Sequence, residues 1–212
     1  MKKLYLLIPV ICLLSLKPAN AQFEQGKIMV SVASTLGLGE YGTDLMSLGF
    51  TTRKIKDSGG DVNTTYSTIN FNLLPRVGYF VIDNLAVGAA LQVGFSLQKS
   101  KDSDYKDSES LLAIGPFARY YYPLEKIYPF VEANVGFGTW KEKWSNGSEG
   151  DDKEGLFSYG VGIGASKPVG ENVLIDALVG YMSQSWKDPD NDYKYVYGTI
   201  GLRIGITILF GQ

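Results

Sequence analysis

From Leu85 onward, apolar residues take every second position: Leu85, Val87, Ala89, Leu91, Val93, Phe95 and Leu97. Between them stand Ala86, Gly88, Ala90, Gln92, Gly94, Ser96 and Gln98. A period of two with one oily face and one small or polar face predicts a β-strand. The pattern recurs along the chain. Leu112, Ile114, Pro116, Ala118, Tyr120 and Tyr122 share one face of 110–122, and Val131, Ala133, Val135 and Phe137 share one face of 128–140. Phe157, Tyr159, Val161, Ile163 and Ala165 alternate with serine and glycine, and Val173, Ile175, Ala177, Val179 and Tyr181 alternate over the next stretch. The final run carries Ile200, Leu202, Ile204, Ile206, Ile208 and Phe210. With 68–81 and a first strand beginning near Ile28, these runs predict eight strands.

The connections alternate strictly between short and long. "IDN" (82–84), "PLEKI" (123–127) and "PVGEN" (168–172) are short, whereas 39–67, 99–109, 141–155 and 187–194 are long and hydrophilic. An up-and-down barrel places all short turns on one rim and all long loops on the other. Within 39–67 the assignment is open. "KIMVSVASTLGL" and "SLGFTTRKI" are both strand-like, yet the topology allows one upward crossing before residue 68.

Which face of the wall is oily decides the environment. A soluble lipocalin-like barrel turns its apolar face inward and a charged face outward. Here the alternate face is mostly glycine, serine, threonine, alanine and asparagine, which suits a narrow eight-stranded interior. The apolar face carries almost no charge, and a lysine or arginine at the bilayer midplane costs roughly 2–4 kcal/mol. A closed barrel also satisfies every backbone group, as hydrocarbon requires. The expected fold class is therefore all-β, an eight-stranded antiparallel up-and-down transmembrane β-barrel. Aromatic residues support it as two girdles. Tyr79, Tyr120, Tyr122, Tyr128, Phe130 and Phe210 lie near the short-turn rim, and Trp140, Phe157, Tyr159, Tyr181, Trp186 and Tyr195 near the long-loop rim.

The chain's beginning adds an address. Lys2 and Lys3 precede an apolar run from Leu4 to Leu16, followed by Ala19, Asn20 and Ala21. That is the pattern of a cleavable signal peptide over 1–21, leaving 22–212 as the barrel. Cys12 is the only cysteine and falls within the signal, so no disulfide is expected. Three of the 20 basic residues also fall there and none of the 22 acidic ones, which leaves the exported chain with a net charge near −5. No nucleic-acid partner is expected from such a balance.

Alternation sends five charges inward, Arg76, Arg119, Glu132, Asp176 and Arg203, all toward the short-turn half. These form the candidate site, an inward charge layer with a structural role. Arg119 faces Glu132 if their hairpin axis lies between Glu125 and Lys126. Asp176 faces Arg203 if the next axis lies between Pro189 and Asp190. The interior toward the long-loop rim is small (Gly94, Ser96, Ala113, Gly115, Gly136, Gly138, Gly160, Gly162, Gly180), which allows either a shallow open vestibule or tight packing. The chain has no histidine, which removes the imidazole that many hydrolytic sites use. No catalytic residue, cofactor or metal is assigned. "DPDND" (188–192) has acids at alternate positions but lacks the glycine and distal glutamate of a calcium loop. Trp144 and Trp186 read as interface anchors.

"NLLPRVGYFVIDNLAVGAAL" followed by "IGPFARYYYP" resembles the outer-membrane β-barrel domain common in Bacteroidetes, itself similar to small OmpA/OmpX-type barrels. The resemblance covers nearly all of 22–212, and Pro75 to Gly88 is its most specific part. It implies periplasmic turns, extracellular loops and a setting in the bacterial outer membrane, with lipid and lipopolysaccharide as neighbours, and it implies little about activity. The expected function is a non-enzymatic integral barrel with a structural or surface-interaction role. A small-solute channel and a soluble extracytoplasmic barrel for a hydrophobic ligand are the alternatives.

Overall fold

The computed structural model describes residues 21–37, 49–56, 62–101, 103, 105–122, 124–145, 149–187 and 194–211. After a single 3-10 turn at Ala21–Phe23 come β1 (Ile28–Gly37), β2 (Gly49–Lys56), β3 (Val62–Ile82), β4 (Leu85–Ser100) and β5 (Lys106–Tyr121). There follow β6 (Tyr128–Ser145), β7 (Glu149–Pro168), β8 (Val173–Lys187) and β9 (Lys194–Phe210). Every pairing is antiparallel; from β2 to β9 each strand pairs with its neighbours in the chain, while β1 pairs with β9 and with β3. The sheet therefore closes on itself as an up-and-down barrel.

Nine strands fill eight places. β1 takes the lower part of β3, from Ile28 opposite Tyr79 to Ala33 opposite Leu74. β2 takes the upper part, from Gly49 opposite Asn70 to Lys56 opposite Val62. The two strand-like pieces of the N-terminal third are thus two stages of one upward crossing, with 38–48 outside the described residues. An even number of crossings is what lets β9 return beside β1.

The oily side of each strand points outward. Ile163 is 69% exposed, Ile200 63% and Val131 53%, whereas Arg76 is 2% exposed and Glu132 4%. On β9 the outward apolar run lasts from Ile200 to Phe210, about 33 Å along a strand. Tilted as barrel strands are, it covers about 25 Å, the height of an apolar membrane band. This orientation and closure are those of a transmembrane β-barrel.

The wall is close-fitting where β5 and β6 meet. A Cβ at Gly138 would run into the Leu112 carbonyl oxygen and the Ala113 backbone, so only glycine lets the strands approach there. Between β3 and β4 the chain reverses at Asp83 and Asn84. Asn84 has φ 68°, a left-handed conformation that asparagine tolerates better than most residues.

Two expectations about the rims change. The stretches 99–109 and 141–155, polar enough to read as loops, are largely strand: β4 runs to Ser100, β5 starts at Lys106, and Ser145 is already paired with Glu149. An antiparallel ribbon outside hydrocarbon keeps its backbone hydrogen bonds whatever its side chains, so polarity does not end it. Five aromatic residues assigned to the girdles, Tyr128, Phe130, Trp140, Trp186 and Tyr195, instead share the inward parity of Glu132, Asp176 or Arg203. Tyr128, Phe130 and Trp140 are buried, and Trp186 packs on an interior cluster.

Candidate functional site: a lumen filled in tiers

The inward side chains stack in layers from the short-turn rim upward. The lowest layer is aromatic and is completed by a residue outside the barrel strands. Phe23, 1% exposed, is carried into the mouth by the 3-10 turn. It stacks on Tyr121 with centroids 4.1 Å apart, meets Tyr128 edge-on at 4.9 Å and lies 5.8 Å from Phe80. Met29, Phe130, Leu174 and Leu209 belong to the same cluster. The segment is pinned by polar bonds at its edges. The Tyr128 hydroxyl donates to Gln22 Oε1 (2.6 Å), Gln22 Nε2 donates to the Glu171 carbonyl (3.1 Å), and the Asn84 amide donates to the Phe23 carbonyl (2.7 Å). No period-two signal reaches Phe23, so sequence reasoning missed this floor.

The charge layer lies directly above, and the structure brings all five members together. Arg119 faces Glu132 in the ladder and donates to its Oε2 from Nε (2.8 Å) and Nη2 (2.6 Å). Arg203 Nη1 donates to Glu132 Oε1 (2.8 Å), and Arg76 Nη2 lies 3.0 Å from the same oxygen. Glu132 therefore holds three arginines. Asp176 accepts from Arg119 Nη1 (2.6 Å), Ser166 (2.6 Å) and Thr207 (2.7 Å). Arg119 also lies 4.2 Å from the Phe130 ring centroid, joining this layer to the floor.

The expected facing of Asp176 and Arg203 is overturned. Lys187 faces Lys194, which shifts the β8–β9 register so that Asp176 faces Gly205 and Arg203 faces Leu178. Each reaches across the lumen instead, Arg203 to β6 and Asp176 to β5. In so narrow a barrel a guanidinium finds a carboxylate on another wall as easily as on the neighbouring strand.

The next layer is polar. Gln92 of β4 crosses the lumen, accepting from Ser158 of β7 (2.9 Å) and donating to Met182 Sδ of β8 (3.4 Å). Ser96 donates to Asn70 (3.0 Å). Of the two readings of the small interior residues, tight packing holds at these glycines: a Cβ at Gly136 would lie 2.6 Å from Ser158 Oγ, and one at Gly160 2.6 Å from Asn134 Oδ1. A cavity of about 20 Å³ remains between Thr35, Glu132, Asn134, Met182, Thr199 and Arg203, room for about one water. The large apolar hollows are on the outside of the wall. One of about 670 Å³ is lined by Tyr120, Val131, Ile163, Val179 and Ile200.

The top layer is aromatic again. Trp140 stacks on Trp186 (5.2 Å), and Trp186 stacks on Tyr197 (4.8 Å), over Leu111, Ala113 and Leu156. Trp186 is thus part of a lid on the lumen rather than an outward anchor. Trp144 also has inward parity, facing Asp107 in the ladder.

Above the lid the ribbons of β5 and β6 bring Asp107, Glu109 and Glu142 within 4.8 Å of one another. Oxygen donors of this kind suit a hard divalent cation. Burial pushes the Asp107 carboxyl up, against smaller lowering effects from the Ser108 amide and the Tyr105 hydroxyl. A raised carboxyl binds its proton more tightly folded than unfolded. Its contribution is therefore full at low pH and is lost as pH rises above the ordinary carboxylate value. The expected result is faster hydrogen exchange over 106–110 and 141–145 at pH 7 than at pH 4, after correction for intrinsic rates, with Asp107→Asn reducing the difference. An unchanged pH dependence in that variant would refute the assignment. The "DPDND" segment lies outside the described residues.

No family model and no curated protein matches the sequence. Solved structures do resemble the fold. Neisserial surface protein A aligns at 19% identity and TM-score 0.44, over 88% of this chain and 98% of that one. Ail, the attachment invasion locus protein of Yersinia pestis, in complex with the heparin analogue sucrose octasulfate, aligns at 12% identity and TM-score 0.49, over 88% and 99%. OprG, an outer membrane protein from Pseudomonas aeruginosa, aligns at 14% identity and TM-score 0.34, over 89% and 98%.

Proposed function

We propose that this protein is a non-enzymatic integral barrel of the bacterial outer membrane, sealed to solutes, that presents its long hairpins to the cell exterior as an interaction surface. In this reading residues 1–21 direct export and are removed, and 22–212 form the barrel. The short turns face the periplasm. The likeness of Pro75 to Gly88 to the Bacteroidetes outer-membrane barrel domain fits this placement.

The observation that carries the proposal is the inside-out distribution of polarity. Charge and hydrogen-bonding groups fill the axis, while isoleucine and valine face away from it. A soluble carrier of a hydrophobic ligand needs its apolar hollow inside, and here the apolar hollows lie outside. A channel needs a continuous polar path. Four filled layers interrupt it, and the cavity between two of them holds about 20 Å³. Glu132 and Asp176 are each held by arginine, which fits an internal brace better than acid–base chemistry. The charge layer is accordingly structural.

The test is reconstitution of the refolded protein into planar bilayers, with heat-modifiable gel migration as the check on folding. The expected outcome is a folded band and no unitary conductance above the bare membrane. Discrete conductance steps from folded protein would replace this proposal with the channel reading. Failure to enter bilayers would replace it with the soluble one.

A further inference from the structure

The geometry points to a binding site for phosphorylated glycolipid on the outer wall, formed by lysines of β4–β7 just above the apolar belt. Strand alternation sorts charge on the long hairpins by side. Asp107, Glu109 and Glu142 share the inward parity of Leu111 and Trp140. Lys99, Lys106, Lys141, Lys143 and Lys153 take the outward parity and are all exposed.

Their register makes them one arc. Lys99 faces Lys106, and Lys141 faces Lys153. Lys106 faces Ser145, while Lys143 faces Ser108 one outward step away, so Lys106 and Lys143 are diagonal neighbours. Lys143 faces Asp151 in the ladder. The other four stand as two like-charged pairs, and among the described residues no ion pair joins them to an acid. Like charges directly opposite on antiparallel strands repel at about 5 Å between Cβ atoms. An anion shared by both members of a pair removes that repulsion.

Position selects the anion. Lys99 is the next outward residue after Leu97. Lys141 and Lys153 lie two outward steps beyond Phe137 and Phe157, both exposed on the belt. The ammonium groups therefore sit where the headgroup phosphates of a leaflet begin. The inference rests on the proposed membrane placement, in which this rim meets the outer leaflet. There the anionic lipid is a glycolipid whose sugar phosphates lie at the level of the first polar layer. Lysine stems reach along the wall to such groups while keeping their charge in water.

The test refolds the full exported chain in phosphatidylcholine bilayers containing a small fraction of fluorescent bis-phosphorylated lipid A. Its enrichment around the protein is read by energy transfer from tryptophan. Parallel arms use dephosphorylated lipid A and phosphatidylglycerol. The expected result is enrichment of phosphorylated lipid A alone, weakened by salt. At about fivefold per lysine, Lys99→Gln/Lys106→Gln/Lys141→Gln/Lys153→Gln loses on the order of several hundredfold. Each double variant alone serves if the quadruple one folds poorly. Equal enrichment of the dephosphorylated form, or of phosphatidylglycerol, overturns the assignment, as does an unaffected variant. Insertion into pure phosphatidylcholine without lipid A preference sinks only this inference. Failure to insert there sinks the membrane placement as well.

Discussion

Glu132→Gln is expected to lower the unfolding free energy by about 3–5 kcal/mol, the range for removing one partner of a buried ion pair. The substitution keeps the side chain's shape and removes its charge. In the native lumen three arginines face two carboxylates, and Glu132 contacts all three arginines. Among the described residues it is the sole ion-pair partner of Arg76 and Arg203, whereas Arg119 keeps Asp176. With glutamine in place the layer carries three cations and one anion, in a space too small to hydrate them. The measurement is the urea midpoint of reversible unfolding in lipid bilayers. Adding Arg203→Met restores the native charge difference, and the double variant is expected to recover at least half of the loss. A Glu132→Gln protein within about 1 kcal/mol of the parent would mean that water reaches the layer.

Phe23→Ala is expected to have the next largest effect, about 3–5 kcal/mol for truncating a buried phenylalanine to alanine. Phe23 touches Tyr121, Tyr128 and Phe80 at once, so its truncation opens a gap beneath all three rings. Phe23→Leu keeps most of the volume and is expected to lose less than half as much. The second readout is protease access. In the alanine variant residues 22–26 lose their anchor and become cleavable from the short-turn side, while the bilayer stays free of conductance steps because the charge layer above is intact. Unchanged resistance to cleavage would show that Gln22 and the backbone bonds to Asn84 and Phe80 hold the segment unaided.

The two faces of the wall were legible in the sequence because strand alternation is strict and the contrast between isoleucine and glycine or serine is large. The approximate height of the five inward charges followed from the same counting. What was not legible depended on proximity across the lumen. Gln92 reads as an ordinary polar position, and nothing local says that it will bridge to Ser158 and Met182. Which residue Asp176 faces turned on a hairpin register that the polar composition between Lys187 and Lys194 does not specify. Trp140 carries a different lesson. It stands at an even interval from Glu132, so its parity already placed it inside, and reading it as a girdle residue gave its height more weight than its direction. Phe23 is a lone aromatic residue between glutamine and glutamate. Its importance arises only when Phe80, Tyr121 and Tyr128 arrive from three distant places.

The seam between β1 and β9 has a consequence for the chain's history. Ten residues of the first strand, Ile28 to Gly37, lie against the last, Phe210 to Gly201. β9 leaves the ribosome after β1 to β8, so the hydrogen-bonded ring cannot close until every other strand has been made. Any sheet formed earlier would carry two raw margins and an uncovered greasy exterior in water, both invitations to stick to other chains. A chain of this pattern avoids both hazards only if its strands stay unpaired until all of them can close together.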